Sequence, residues 1–202
     1  NVPVLETIAR LHAEKKNAPR AVLCLDEFVA MSAAHGYYMA SGKPQAVSVH
    51  AELGVLQMGG SLQNAEWGRI PVVFFSEIQG PEERRTWRGE LCDQGSMVRN
   101  FVKWDYRILP EDNVAEVFNK AFGIASSEPC GPVYLTLSRE LLWDGNTTYE
   151  NTISVPLQKP PTFSGDIKKA ISIILNAENP IIVTGYLGRH KDSVAKLVQF
   201  SE

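Results

Sequence analysis

Long apolar runs are missing from this chain. Its 202 residues contain none of the roughly 18 to 20 consecutive apolar positions that a membrane-spanning helix needs, so no such helix is expected. Cysteine is scarce: only Cys24, Cys92 and Cys130, widely spaced. No two have the short spacing of a metal site, and three cannot build a disulfide framework. A reduced, intracellular protein is expected, cytoplasmic or within an organelle. Charge of one sign is absent too, with 20 basic residues against 23 acidic and a net charge of -3. There is no basic stripe, which excludes nucleic acid as the natural partner. The clusters Glu14-Lys15-Lys16 and Glu82-Glu83-Arg84-Arg85 read as solvated faces. No Gly-x-Gly-x-x-Gly fingerprint occurs; Gly185-Tyr186-Leu187-Gly188 is only a partial likeness to a nucleotide-type turn. Asn1 opens a mixed polar segment, so no secretory leader is expected, and Asn146-Thr147-Thr148 reads as a chance glycosylation match.

What is present is an alternation of short apolar runs and amphipathic stretches. Val4, Leu5, Ile8 and Leu11 share one face of a helix over residues 2–15. The run 21–25 (Ala-Val-Leu-Cys-Leu) predicts a strand, followed by a helix over 27–41 that stops at Gly42-Lys43-Pro44. Further strands are predicted at 45–49, 71–75, 101–107 and 132–137. Residues 54–67 predict one helix whose Gly54, Gly59 and Gly60 mark a close backbone approach. Residues 76–100 read as irregular. Pro110-Glu111-Asp112 suits the first turn of a helix over 112–127. Such alternation implies an α/β fold of three layers, a mainly parallel sheet with helices on both faces.

Residues 144–165 form a Thr-, Asn- and Pro-rich linker. Beyond it a helix over 166–177, a strand over 180–184 and a helix over 192–200 open a second α/β domain. Too few elements remain there to bury a core of its own. The expected organisation is a first domain over 1–143, a linker over 144–165 and the truncated start of another domain over 166–202.

Glu27 stands out, because it sits where a predicted strand gives way to a helix. In α/β folds ligands bind at such strand ends. From position alone, Glu27 reads equally as a helix N-terminal acid. The segment Leu25-Asp26-Glu27-Phe28, with Ala34-His35-Gly36-Tyr37 and Ser41-Gly42-Lys43-Pro44, resembles the pyrimidine-binding domain of the thiamine diphosphate enzymes. Those read His-Glu, Ala-x-Gly-Tyr-Ala and Thr-Gly-Lys-Pro. Four further pieces follow in the family's order: Gly54 and Gly60, Ile70-Pro71-Val72-Val73, Val102-Lys103-Trp104, and Gly131-Pro132-Val133-Tyr134-Leu135. The likeness covers residues 2–142, and the part after Gly165 resembles the start of the family's central domain.

The resemblance implies a role for each candidate. Glu27 would hydrogen-bond the pyrimidine N1′ of thiamine diphosphate and favour the ring tautomer that activates it. Gly54 and Gln57 would line the cofactor. The apolar neighbours Leu25, Phe28 and Val29 imply a dry site, which strengthens such a bond. His50 stands where acetolactate synthases carry Thr or Ser. Benzoylformate decarboxylase has a proton-handling His there, and imidazole suits proton transfer near neutral pH. His50 reads equally as a histidine satisfied by backbone at a strand end.

The Gly-Pro-Gly of acetolactate synthases is Glu52-Leu53-Gly54 here, their nearby Asn is Gln57, and their Phe-Gln-Glu stands about Gly89-Glu90-Leu91. Glu52 is read as a solvent-facing turn residue rather than a second acid. The family's diphosphate motif, Gly-Asp-Gly … Asn, is absent, so Mg²⁺ and the diphosphate would be held by a domain outside this chain, on another subunit. The resemblance thus implies a lyase or carboligase acting on a 2-oxo acid, assembled as a homodimer or homotetramer. Some relatives hold FAD in the central domain; nothing here demands it. The alternative is a degenerate, non-catalytic domain serving as a regulatory or assembly partner.

Overall fold

The computed structural model describes residues 2–79, 93–143 and 165–202. The chain divides into two compact units, Asn1–Gln158 and Lys159–Glu202. The division falls within the stretch expected as a linker.

In the first unit, helix α1 (Val2–Ala13) precedes α2 (Glu27–Ser41), β1 (Gln45–Val49), α3 (Ala51–Gln57) and α4 (Gly59–Trp67). Strand β2 (Val72–Ile78), a 3₁₀ turn (Gln94–Met97), β3 (Trp104–Ile108), α5 (Val114–Ser126), β4 (Val133–Ser138) and α6 (Arg139–Trp143) follow. The four strands form one parallel sheet in the order β1-β2-β4-β3. Parallel pairing needs a crossover, which the intervening helices supply.

Alternate residues of β2 face opposite layers. Val72 and Phe74, with Val47, Val49 and Tyr134, meet Met31, Val55, Met58 and Leu62 from α2, α3 and α4. Val73 and Phe75, with Leu135 and Leu137, meet Phe118, Ala121 and Ala125 of α5, and also Val4 and Leu141. Both faces of the sheet are therefore covered, and the central strands β2 and β4 are buried almost throughout. This is the expected three-layer α/β architecture.

Helix α2 has the boundaries its sequence signals. Val29 N–H donates to Asp26 Oδ1 at 2.7 Å, the N-cap. Gly42 ends the helix at φ 70°, a left-handed conformation that favours glycine, and its N–H reaches Tyr38 O.

Several expectations need correction. Residues 76–78, expected to be irregular, continue strand β2 to Ile78. Residues 21–25 are not a strand: a strand exists through its ladder, and no neighbour among the described residues pairs with this one. Leu23 and Leu25 are 96% and 99% exposed. The predicted helix over 54–67 is two helices that meet at Met58, just before the helix-weakening pair Gly59-Gly60. Strand β3 starts at Trp104 rather than 101, because Phe101 closes a turn onto Val98 O. Helix α5 starts later than expected. Asn113 caps it through Ala115 N–H and Glu116 N–H, while Asp112 accepts from Tyr106 OH and Leu109 N–H.

The second unit contains α7 (Ile167–Leu175), a 3₁₀ turn (Leu187–Arg189) and α8 (Lys191–Ser201). The predicted strand 180–184 is unpaired, for the same reason as 21–25, and Ile181 and Val183 are exposed. No described residue of this unit is buried, and the apolar face of α7 lies open.

The Val-Lys-Trp segment has a structural explanation. The Lys103 ammonium reaches Ser127 O at 2.6 Å and Ser127 Oγ at 2.8 Å, and also contacts Ile124 O. It thereby covers the carbonyls left open at the end of α5. Trp104 stacks on Tyr106 and receives Lys120 over its ring.

Candidate active site

Glu27 is the first residue of α2, but it does not cap the helix; Asp26 does that. Its side chain instead lies half-buried against α3 at Gly54. A Cβ added at Gly54 would stand 2.9 Å from Glu27 Oε1, 3.1 Å from Glu27 Cγ and 3.0 Å from Val49 Cβ. Gly54 therefore allows the close approach: a Cβ there would force the Glu27 side chain to shift. The apolar neighbours expected to dry the site do not do so within this chain. Leu25 is 99% exposed, Phe28 44% and Val29 40%.

His50 ends β1 and opens α3, with no side-chain cap. Among the described residues, no backbone group hydrogen-bonds its ring. Its Nδ1 lies 3.4 Å from Glu77 Oε1. The next residue, Ala51, is buried and has φ 42°, a left-handed conformation strained for a residue with a Cβ. Gln57 is exposed at the end of α3, one turn beyond Gly54. The structure thus gathers Glu27, Val49, His50 and Gly54 at the carboxyl end of β1.

Several polar residues at these strand ends escaped the sequence reading. Gln94 is buried and accepts from Ser76 Oγ at 2.8 Å and from Tyr134 OH at 2.9 Å. Its amide donates to Glu52 Oε2 at 3.3 Å. Glu52 is accordingly no solvent-facing turn residue but a half-buried acid in the first turn of α3. Tyr134 stacks on Phe74, and burial raises its phenol well above the usual range, with its hydrogen-bond contact to Ser76 opposing. Arg99 holds this arrangement from outside, with paired bonds to Asp105 at 3.0 and 2.9 Å and longer ones to Asp93. That clasp ties the 3₁₀ turn carrying Gln94 to β3. One signal was available in the sequence: Ser76-Glu77 interrupts an otherwise apolar central strand. The segment Gly89-Glu90-Leu91 lies outside the described residues.

Among the described residues, no group of three His, Cys, Asp or Glu side chains is arranged to hold a metal ion. None of the described helices is long and apolar enough to cross a membrane.

The domain is a three-layer parallel α/β unit with an acid set against a glycine at its strand ends, the place where ligands bind in such folds. Residues 2–97 match the family described as thiamine pyrophosphate enzyme, N-terminal TPP binding domain. This likeness, over just under half of the chain, is to the thiamine diphosphate-dependent enzyme superfamily.

The acetolactate synthase large subunit of Buchnera aphidicola (subsp. Acyrthosiphon pisum) is 28% identical over 169 residues, covering 81% of this chain and 30% of that protein. Benzoylformate decarboxylase of Pseudomonas aeruginosa is 30% identical over 122 residues, covering 58% of this chain and 22% of that protein. The structure of benzoylformate decarboxylase from Polynucleobacter necessarius superposes with a TM-score of 0.75 over 86% of this chain and 34% of the other, at 23% identity, a likeness of fold. The thiamine diphosphate-dependent 4-hydroxybenzoylformate decarboxylase of Rhodococcus jostii gives 0.62 over 79% of this chain and 31% of the other, at 25% identity. The chain thus spans about a third or less of the length of these relatives.

Proposed function

We propose that this chain is the pyrimidine-binding part of a thiamine diphosphate-dependent lyase or carboligase acting on a 2-oxo acid. In this reading residues 1–143 form that domain, 144–165 a linker, and 166–202 the start of a central domain. The observation that carries it is the seat of Glu27: its carboxylate lies against a helix turn where only glycine leaves room.

The residues fit the cofactor. The capping demand of α2 is met by Asp26, so Glu27 is left to receive a ring nitrogen. Gly54 presents bare backbone beside it, and Gln57 lies one turn on. Bound there, thiamine diphosphate would supply a nucleophilic carbon that attacks the substrate carbonyl and accepts its electrons on loss of carbon dioxide. Glu27 would share a proton with the pyrimidine N1′. His50 would deliver or remove protons at the substrate from the adjoining strand end.

The exposure of Leu25, Phe28 and Val29 calls for a second surface to exclude water. We assign that surface to the diphosphate-binding domain of another subunit, which would also carry Mg²⁺, in a homodimer or homotetramer. The free thiols of Cys24 and Cys130 suit an intracellular setting.

The test is Glu27→Gln in the full-length protein. Gln keeps the shape and removes the acid. The expected result is an unchanged melting temperature with turnover of 2-oxo acids reduced at least about 100-fold. Normal turnover would sink the assignment. The non-catalytic alternative predicts no thiamine diphosphate-dependent turnover in either protein.

A further inference from the structure

Glu77 is a charged residue inside a central strand. Its neighbours Ser76 and Ile78 are 0% and 1% exposed, and its own side chain is 12% exposed. A carboxylate so placed is unfavourable unless it is compensated. Strand register supplies the compensation. Val49 stands opposite Ser76, so the next residue, His50, comes up beside Glu77. Ile78 stands opposite Ser138, which brings the following residue, Arg139, to the other side. The contacts use separate oxygens: His50 Nδ1 lies 3.4 Å from Oε1, and Arg139 Nε lies 3.8 Å from Oε2.

We propose that Glu77 is a positioning residue for His50, held in place by Arg139, and that it selects the imidazole tautomer. A carboxylate only accepts hydrogen bonds, so its charge favours a proton on the nitrogen that faces it at 3.4 Å. That nitrogen is Nδ1, which leaves Nε2 as the basic atom. In a histidine, the tautomer follows from the bond made by the other ring nitrogen. Arg139 offsets part of the charge of Glu77 from the other side. The strained φ of Ala51 fixes the direction in which the chain leaves His50, and the ring keeps 64% of its surface exposed on the open side. His50 thus presents one defined basic nitrogen instead of two interchangeable ones. The catalytic consequence rests on the proton-transfer role proposed above for His50; the tautomer itself does not.

The test uses full-length protein labelled with ¹⁵N-histidine and solid-state NMR, with His50 assigned from the signal lost in His50→Gln. Protonated and bare imidazole nitrogens differ widely in ¹⁵N shift. The expected spectrum of neutral His50 has its proton on Nδ1. In Glu77→Leu the proton should move to Nε2 and kcat should fall roughly 10- to 100-fold, with the half-saturating thiamine diphosphate concentration unchanged. Glu77→Gln retains an acceptor oxygen and should keep the Nδ1 proton and most of the turnover. A wild-type His50 protonated on Nε2 would overturn the proposal, and that measurement needs no variant to fold. An unchanged tautomer in Glu77→Leu would overturn it equally. A tautomer that responds to Glu77 in a protein with no thiamine-dependent turnover would leave the pairing standing and remove the cofactor reading. Turnover that depends on Glu27 beside an unresponsive tautomer would do the reverse.

Discussion

Replacing Gly54 with Ala probes the seat of Glu27 without touching the acid. The added methyl would meet Glu27 Oε1 at 2.9 Å, Val49 Cβ at 3.0 Å and Glu27 Cγ at 3.1 Å. Val49 cannot yield, because it is 2% exposed and paired within the sheet. The side chain of Glu27 must therefore swing away. Two energies oppose each other. Ala is favoured over Gly in a helix by about 1 kcal/mol, and overpacking a buried site costs about 1 to 3 kcal/mol. The net destabilisation is then at most about 2 kcal/mol, which leaves the protein folded. The effect on chemistry is larger, since a displacement of about 1 Å in a reacting group can lower turnover roughly 100-fold. The assay is turnover of a 2-oxo acid with titrated thiamine diphosphate, beside a thermal melt. Gly123→Ala is the control. Gly123 lies in the interior of α5 with nothing within 4 Å of an added Cβ. It should gain about 0.5 to 1 kcal/mol of stability and leave activity unchanged. A folded Gly54→Ala protein with wild-type turnover and cofactor affinity would refute the argument that Glu27 must rest on α3.

Two further outcomes concern stability. Burial lowers the pKa of His35 below its ordinary 6.5. As pH falls through 6.5 the unfolded chain takes up the proton before the folded one, so the melting temperature should drop below that pH, and His35→Gln should flatten the drop. Lys103→Met keeps the stem of the side chain but removes the ammonium that covers the carbonyls at the end of α5. A loss of about 1 to 3 kcal/mol in chemical denaturation is expected. An unchanged midpoint would show that solvent satisfies those carbonyls equally well.

Local signals wrote much of this molecule directly. Asp26 as cap and Gly42 as stop delimit α2, because capping and a left-handed terminus are properties of a few neighbouring residues. The apolar residues of β2 and β4 were legible because a central strand is buried on both faces, whereas β1, at the edge, alternates. Glu27 was legible by its place at the mouth of a helix, and Gly54 by the presence of glycine in a helical stretch. Residues 21–25 and 180–184 carry the same apolar signal, yet neither pairs with a strand among the described residues. Whether a run becomes a strand depends on a partner elsewhere in the chain, which composition does not encode. Only the tertiary structure decided that Gly54 makes room for Glu27, and that Gln94 joins Ser76, Tyr134 and Glu52. It also set His50, Glu77 and Arg139 in one row. Those three are spread over ninety positions of sequence. Parallel register, a property of backbone pairing between distant segments, brings them together.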